Sequence, residues 1–440
     1  MIHSLFKHSS RYFSASIISA IAAFLMTRYY TEVFTPSEFG VMVVYIMVFE
    51  YVVSFGGLSA EKSIARKIFD YKGDDLNIYL STMFWFYAFL CVLLIMLGWA
   101  LSHTISDWVA PGTVYIFHIV IVAGIINVAV KFFNTICVNG QKSKEVSLSQ
   151  VSQTIVSQSS AIVAIQIIGA GIGGRFIGAA LGGVVQLIAL SRVSFMSLGF
   201  SLSRRFNRSM LFETLYLAFP ATCSSILILL FSYTDRIFLK EFSGNESVGL
   251  YGLALIIGKL ITIAFESMFS SLFPMAIKRL TDDYCKGILS IESWSLKYYA
   301  FLFFLLVGVI SLSPVIYMVI SSGEYEESKK VLPFVVIGIV LGGLYKLPSI
   351  VLSYHKIVWF YIPVTFISFS FNVALNYLLI PSYGIIGAGL STCVGCFVYS
   401  ILVQRASWKF FSAKYKWATA LSYLFILIFI GYYFNENYNL

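Results

Sequence analysis

Apolar runs of about 20 residues recur along the whole chain, and a run of this length spans the hydrocarbon core of a bilayer as an α-helix. With 59% hydrophobic and only 12% charged residues, the 440-residue chain cannot present the polar surface of a water-soluble protein. Segments of about 10 residues with strict apolar and polar alternation, which would indicate a membrane β-barrel, are absent from the sequence. The sequence therefore predicts an all-α polytopic membrane protein.

The apolar runs fall into two sets of six. The first set covers roughly residues 12–33, 39–59, 78–101, 112–136, 148–169 and 174–195, and the second covers 213–239, 248–273, 297–320, 330–354, 357–380 and 384–404. We predict about twelve transmembrane helices in an N-terminal lobe (1–203) and a C-terminal lobe (204–405). Residues 406–440 are expected to hold a basic cytoplasmic linker and a further apolar segment at 417–434, which either spans the membrane or lies partly in the interface.

The two halves show signs of an internal repeat. Gly40 aligns with Gly249 at an offset of 209 residues, and the same offset pairs 178–181 (Gly-Ala-Ala-Leu) with 387–390 (Gly-Ala-Gly-Leu). Because each half holds an even number of spans, the lobes share one orientation and are related by an axis along the membrane normal. A substrate site is then expected at their interface. Packing alone is the simpler explanation for most of these glycines.

The positions of the basic residues predict the topology. Of the 30 Lys and Arg residues, 21 fall on one side of the membrane, four on the other, and five within the spans. Basic residues are enriched in cytoplasmic loops, so this asymmetry predicts a cytoplasmic N-terminus. It also explains the net charge of +9 without a nucleic-acid partner. The Cys393–Cys396 pair has no neighbouring His or Cys in its span, and neither a metal site nor a cofactor is expected.

Charged residues inside the predicted spans are the candidate functional residues. A charge at mid-membrane costs at least about 2.5–3.5 kcal/mol on insertion scales, so these residues should face the bundle interior or water. The bases are Arg28, Lys131, Arg236, Lys259 and Lys346, and the acids are Glu50, Asp235 and Glu266.

Most of these residues allow two interpretations, one functional and one structural. Glu50 and Lys259 share the 209-residue offset, and they form either a functional charge pair in a hydrated cavity or a buried pair that fixes packing. Asp235 beside Arg236 suits a gating or substrate role, or a local ion pair. Lys131 and Lys346 lie toward the cytoplasmic ends of their spans, where such side chains either reach the interface or guide an anion inward.

Three stretches carry a resemblance to a known family: residues 34–40 (Phe-Thr-Pro-Ser-Glu-Phe-Gly), 233–236 (Tyr-Thr-Asp-Arg) with 248–251 (Val-Gly-Leu-Tyr), and 376–388 (Asn-Tyr-Leu-Leu-Ile-Pro-Ser-Tyr-Gly-Ile-Ile-Gly-Ala). With the twelve similarly placed spans, they make residues 5–405 resemble the polysaccharide transporter family. This family contains the O-antigen-type flippases of the multidrug/oligosaccharidyl-lipid/polysaccharide (MOP) superfamily. The segment at 417–434 goes beyond the twelve-span pattern.

The resemblance implies two six-helix lobes around a cavity that opens alternately to each side. The expected substrate is an oligosaccharide on a polyprenyl pyrophosphate, an O-antigen or capsule-type unit, moved between leaflets of the bacterial inner membrane. Cationic cavity residues would bind its head group, a role carried to Arg28, Arg236 and Lys259, with Lys131 and Lys346 in support. Glu50, Asp235 and Glu266 would serve gating or ion coupling. The implied partners are membrane lipid, H⁺ or Na⁺ as a coupling ion, a glycan polymerase and the chain-length machinery.

Three other functions are alternatives to the flippase function that the resemblance implies. A cation-coupled multidrug exporter of the same superfamily would use the three embedded acids as ion sites, but five embedded bases argue against a cationic drug. A membrane glycan polymerase or ligase would be an enzyme and usually has a large outer loop, whereas every predicted external connection here is short. A non-transporting scaffold would not need so many charges in the bilayer. The chain is therefore not expected to be an enzyme.

Overall fold

The structure is a computed structural model that describes residues 2–357, 359–412, 415–416, 419–420 and 422–423. These residues form helices joined by short links, which confirms the predicted all-α class. Most of the apolar segment predicted at 417–434 lies outside the described residues. The helices are α1 (Ile2–Val33), α2 (Pro36–Phe55), α3 (Ala60–Lys67), α4 (Gly73–Val109), α5 (Val114–Asn139), α6 (Ser143–Gln166), α7 (Gly173–Arg192), α8 (Arg208–Asp282), α9 (Tyr284–Ile320), α10 (Ser328–Leu344), α11 (Lys346–Tyr354) and α12 (Tyr361–Ser407).

The two longest helices are each interrupted at one glycine. Gly244 in α8 has φ 81° and ψ 179°, and Gly384 in α12 has φ 52° and ψ −127°. Both conformations are open to glycine and strained for other residues. Gly244 lies within the connection predicted at 240–247, and Gly384 directly follows the one predicted at 381–383, so each connection is a single-residue break. With these divisions, and with α3 and α11 as continuations of α2 and α10, the described residues hold twelve long helical segments, consistent with the predicted number.

The helices have the length and composition of membrane spans. Eight helical stretches in the described residues are long and apolar enough to cross a bilayer, counting α8 and α12 once each. Only 22% of the apolar window of α4 and 17% of that of α9 is buried by protein, compared with 78% for α10 and α11. The exposed apolar faces of α4 and α9 suit contact with lipid, since no aqueous surface would tolerate them. The chain is a multi-pass membrane protein.

The chain forms two compact units, Met1–Phe34 with Val41–Leu229, and Thr35–Gly40 with Leu230–Leu440. In the first unit, α7 packs against α5 and α6, and α6 also packs against α1. Glycines on α7 make this contact close: a Cβ atom on Gly178 would lie 2.3 Å from the carbonyl oxygen of Ser157 on α6. Small residues at helical spacing permit such an approach in membranes. The lobe boundaries predicted at 203 and 405 stay predictions about the topology.

In the second unit, α10 packs against α9 and α12, and α11 packs against the same two helices. The first turn of α2 belongs to this unit and meets α8. A Cβ atom on Gly40 would lie 1.8 Å from the carbonyl oxygen of Asn245, and one on Gly249 would lie 2.0 Å from that of Pro36. The two glycines that align in the sequence repeat therefore lie at one contact that only glycine permits.

Candidate functional site

A cavity of about 450 Å³ lies inside the first unit among α2, α5, α6 and α7. It contains two of the predicted site residues, Glu50 from α2 and Lys131 from α5. Carboxamides dominate the rest of its polar lining: Asn127, Asn134, Gln150, Gln153 and Gln186. Its apolar lining consists of Phe49, Val53, Val130, Val138 and Val146. We refer to this cavity as the amide pocket.

Helical periodicity explains why these side chains converge. On α5, Asn127, Lys131 and Asn134 follow one another at intervals of four and three residues, so they share one face of the helix. On α6, Gln150 and Gln153 are likewise three residues apart. The sequence signal was present as a polar stripe on an otherwise apolar helix. The predicted site residues were all ionisable, so none of the amides was among them.

Most of the polar groups in the amide pocket are not used by the protein. Gln153 Nε2 lies 3.4 Å from Asn127 Oδ1, and Asn127 Nδ2 donates to the carbonyl oxygen of Ala123 at 2.9 Å. Among the described residues, the side chains of Asn134, Gln150 and Gln186 make no hydrogen bond to protein, and Glu50 and Lys131 form no ion pair. Polar groups inside a protein cavity need hydrogen-bond partners, so water or a ligand must supply them.

Asp235 and Arg236 form a buried pair in α8, with exposures of 3% and 9%. The Asp235 carboxylate accepts hydrogen bonds from the Arg236 backbone N–H at 2.8 Å and from the Tyr251 hydroxyl at 2.7 Å. Arg236 Nη1 lies 3.4 Å from Asp235 Oδ1, and the guanidinium stacks over the Tyr233 ring at 4.6 Å. The Tyr251 hydroxyl also lies 3.3 Å from the Thr392 hydroxyl of α12. This network joins two helices of the second unit.

Glu266 and Lys346 form a second ion pair in that unit, between α8 and α11. Lys346 Nζ lies 2.6 Å from Glu266 Oε1, and the side chains are 19% and 44% exposed for the lysine and the glutamate. The lysine ammonium also lies 5.4 Å from the centre of the Phe269 ring. Lys346, assigned from the sequence to the substrate, and Glu266, assigned to coupling or gating, are thus direct partners.

The remaining predicted bases lie elsewhere. Arg28 forms an ion pair with Glu32, one turn along α1, at 2.5 Å, and both side chains are partly exposed. Lys259 is exposed on α8. Glu50 belongs to the first unit and Lys259 to the second. Their predicted pairing stays a prediction.

Two buried asparagines on α12 were also missed by the sequence analysis. Asn376 Nδ2 donates to Asn372 Oδ1 at 3.0 Å, and Asn372 Nδ2 and Asn376 Oδ1 have no hydrogen-bond partner in the described part of the chain. Two asparagines four residues apart in an apolar run are the sequence signal. Cys393, on the same helix, is buried and donates its thiol to the carbonyl oxygen of Phe334, which is a packing role.

Solved transporters share this fold. A multidrug resistance MATE family transporter of the MOP superfamily, inward-facing, gives a TM-score of 0.78 at 13% identity over 91% of this chain and 96% of that chain. The lipid II flippase MurJ, inward closed, gives 0.78 at 16% identity over 96% and 92%. The Vibrio cholerae MATE transporter VcmN in the bent form gives 0.62 at 16% identity over 95% and 98%. The fold is therefore that of the MOP superfamily transporters, as the sequence predicted.

The family follows from the sequence itself. The chain belongs to the polysaccharide biosynthesis protein family, whose sequence model matches residues 5–279. No curated protein matches the chain. The three solved structures are described as transporters or a flippase.

Proposed function

We propose that the protein is a flippase for a polyprenyl-pyrophosphate-linked oligosaccharide, an O-antigen or capsule-type repeat unit. It moves this lipid from the inner to the outer leaflet of the bacterial cytoplasmic membrane by alternating access. The observation that carries the proposal is the amide pocket, a polar cavity among membrane helices in a chain of a polysaccharide biosynthesis family. A hydrophilic head group crosses hydrocarbon only where protein or water satisfies its hydrogen bonds.

The charged residues within the predicted spans differ in whether another side chain already pairs with them. Lys131 lies in the amide pocket without an ion-pair partner among the described residues and is free to meet an anionic or hydroxylated head group. Arg236 and Lys346 are paired with acids, so they bind substrate only if those pairs open during transport. Arg28 and Lys259 complete the proposed cationic set. In this proposal Glu50, Asp235 and Glu266 supply gating or coupling to H⁺ or Na⁺, and basic loops keep the N-terminus cytoplasmic.

Deletion of the gene in its own host tests the proposal. Surface polysaccharide should disappear while the lipid-linked oligosaccharide accumulates facing the cytoplasm, and the wild-type gene should restore export. Arg236→Ala and Lys259→Ala should each insert in the membrane at the wild-type level but block outer-leaflet delivery. Normal surface polysaccharide in both variants would contradict the role of these residues. Normal polysaccharide in the deletion strain would contradict the function.

A cation-coupled multidrug exporter is the second candidate, because a MATE transporter matches the fold with the same TM-score, 0.78, as the lipid II flippase. The five embedded bases against three acids disfavour a cationic substrate. Ethidium efflux from cells that overproduce the protein distinguishes the two, since the flippase should leave ethidium accumulation unchanged. If the protein were a glycan polymerase or ligase, deletion of its gene would change the length of the polymer or its attachment. The lipid-linked oligosaccharide would still reach the outer leaflet.

A further inference from the structure

We infer that the amide pocket is a subsite for one uncharged sugar residue of the substrate, held by carboxamides while the pyrophosphate binds elsewhere. The inference rests on the proposed flippase function and adds which part of the substrate the first unit binds. Among the described residues, five carboxamides line this cavity, together with one carboxylate and one ammonium group. This arrangement of carboxamides favours binding of a ligand that is rich in hydroxyl groups.

The hydrogen-bonding pattern of a carboxamide matches that of a sugar. Each Asn or Gln side chain offers an acceptor oxygen and two N–H donors, and each sugar hydroxyl both donates and accepts. The amides of Asn134, Gln150 and Gln186 are not engaged by other described residues, so their donors and acceptors are available. The contact between Gln153 and Asn127 orients one further amide pair at the wall. A set of five amides can therefore bind several hydroxyls of one ring at once.

The charges that line the amide pocket argue against binding of the pyrophosphate or of a cationic drug there. Among the described lining residues, the Glu50 carboxylate offsets the Lys131 ammonium, so their charges sum to zero. A pyrophosphate is recognised by clusters of Arg and Lys, and Lys131 is the one such residue among the described lining residues. A cationic drug would be better held by aromatic faces, whereas the described lining residues include one aromatic side chain, Phe49. An uncharged, hydroxylated ring fits this lining best.

A purely structural role would leave a different pattern of contacts. Amides that only fix helix packing bond to one another or to backbone, as Asn127 does with the carbonyl oxygen of Ala123. Gln186 instead reaches the cavity although it is only 6% exposed. The cavity, about 450 Å³, is within the usual range of roughly 300–1,000 Å³ for small-molecule sites. That volume suits one sugar residue rather than a whole oligosaccharide.

Binding of a free glycan tests the inference separately from transport. The full-length protein in lipid nanodiscs is titrated with the repeat-unit oligosaccharide released from the host's lipid carrier, which has neither pyrophosphate nor lipid. Gln150→Leu and Gln186→Leu should each weaken binding about three- to tenfold, the loss expected for one or two hydrogen bonds. Gln166→Leu, at an exposed position on α6, is the matched control and should bind as wild type does. Inorganic pyrophosphate should not displace the glycan.

Unchanged affinity in both leucine variants, or displacement by pyrophosphate, would overturn the inference. Should a leucine variant unfold, Gln150→Asn or Gln186→Asn replaces it, because this change withdraws the amide by one carbon but keeps its polarity. The same expectation then applies. If the wild-type protein moves the lipid-linked oligosaccharide but the variants bind glycan normally, the subsite is refuted and the flippase function is not. Protein that neither moves the lipid nor binds the glycan would refute the flippase as well.

Discussion

At the scale of single residues, Asp235 shows how a charge is tolerated inside an apolar helix. Its carboxylate receives the Tyr251 hydroxyl and the Arg236 backbone N–H, and the Arg236 guanidinium lies beside it. The sequence singled out Asp235 and Arg236 because charges in a span are costly. It named Tyr251 only as part of the motif at 248–251 and could not reveal its hydrogen bond to Asp235, because the choice of partner depends on how the broken helix α8 folds back.

Removal of these partners should be measurable in thermal unfolding of the detergent-solubilised protein. Tyr251→Phe removes a hydrogen bond to a buried carboxylate and should cost about 1.5–3 kcal/mol. Asp235→Ala leaves Arg236 buried without its counter-ion and should cost about 3–5 kcal/mol. Tyr377→Phe, at an exposed tyrosine of α12, is the control and should change stability by less than about 0.5 kcal/mol. Equal midpoints for Tyr251→Phe and the control would show that the Asp235 network does not stabilise the second unit.

The Glu266–Lys346 ion pair serves either transport or helix packing, and two substitutions separate these roles. Lys346→Met should lower the thermal midpoint, and adding Glu266→Gln should recover most of the loss, because no unpaired carboxylate then remains. The expected coupling is only about 0.2–1 kcal/mol, since the glutamate is 44% exposed. Lys330→Met, which breaks an exposed pair with Glu327, is the control. A double variant that is stable but cannot export glycan would assign the Glu266–Lys346 pair to transport; one that exports normally would assign the pair to packing.

At the scale of helices, the sequence predicted the position of each span because about 20 apolar residues in a row leave few alternatives. It misplaced their ends, since a helix continues past the hydrocarbon into polar residues: α9 begins at Tyr284, whereas the apolar run begins near residue 297. It also placed an eight-residue connection where the structure has one break at Gly244. A single residue at positive φ is enough to separate two helices, and residues on either side keep their helical preference.

Close packing of α6 against α7 predicts a steric effect at Gly178. Gly178→Ala places a Cβ atom 2.3 Å from the carbonyl oxygen of Ser157, so the helices must separate. We expect a loss of about 1–3 kcal/mol or more in thermal unfolding. Gly308→Ala on α9 is the same substitution where no atom lies within 4 Å, and it should be neutral or stabilise by up to about 1 kcal/mol. A neutral Gly178→Ala would contradict the close helix contact.

A substitution at Gly244 tests the effect of backbone conformation alone, because an added Cβ atom would meet no neighbouring atom there. No atom lies within 4 Å of a Cβ placed there, but its φ of 81° is unfavourable for alanine. Gly244→Ala should therefore cost about 1–3 kcal/mol, and the same Gly308→Ala control should not. A wild-type midpoint for Gly244→Ala would mean that α8 tolerates a different break.

At the scale of the whole molecule, the fold was predictable and the site only partly so. Solved transporters share it at 13% and 16% identity, so the fold does not depend on the identity of most residues. The embedded charges were found because they violate that pattern. The amide pocket was not, because uncharged Asn and Gln are common in helices and gain meaning only when four helices bring them together.

Movement of the lipid-linked oligosaccharide by purified protein in vesicles tests the central claim directly. Vesicles are loaded with the lipid in both leaflets and exposed to a membrane-impermeant glycosidase, which reaches the outer leaflet alone. With the protein present, digestion should proceed to completion, and Gln150→Leu and Gln186→Leu should slow it while Gln166→Leu does not. Digestion that stops at the outer-leaflet fraction, as in protein-free vesicles, would contradict the claim that this protein is a flippase.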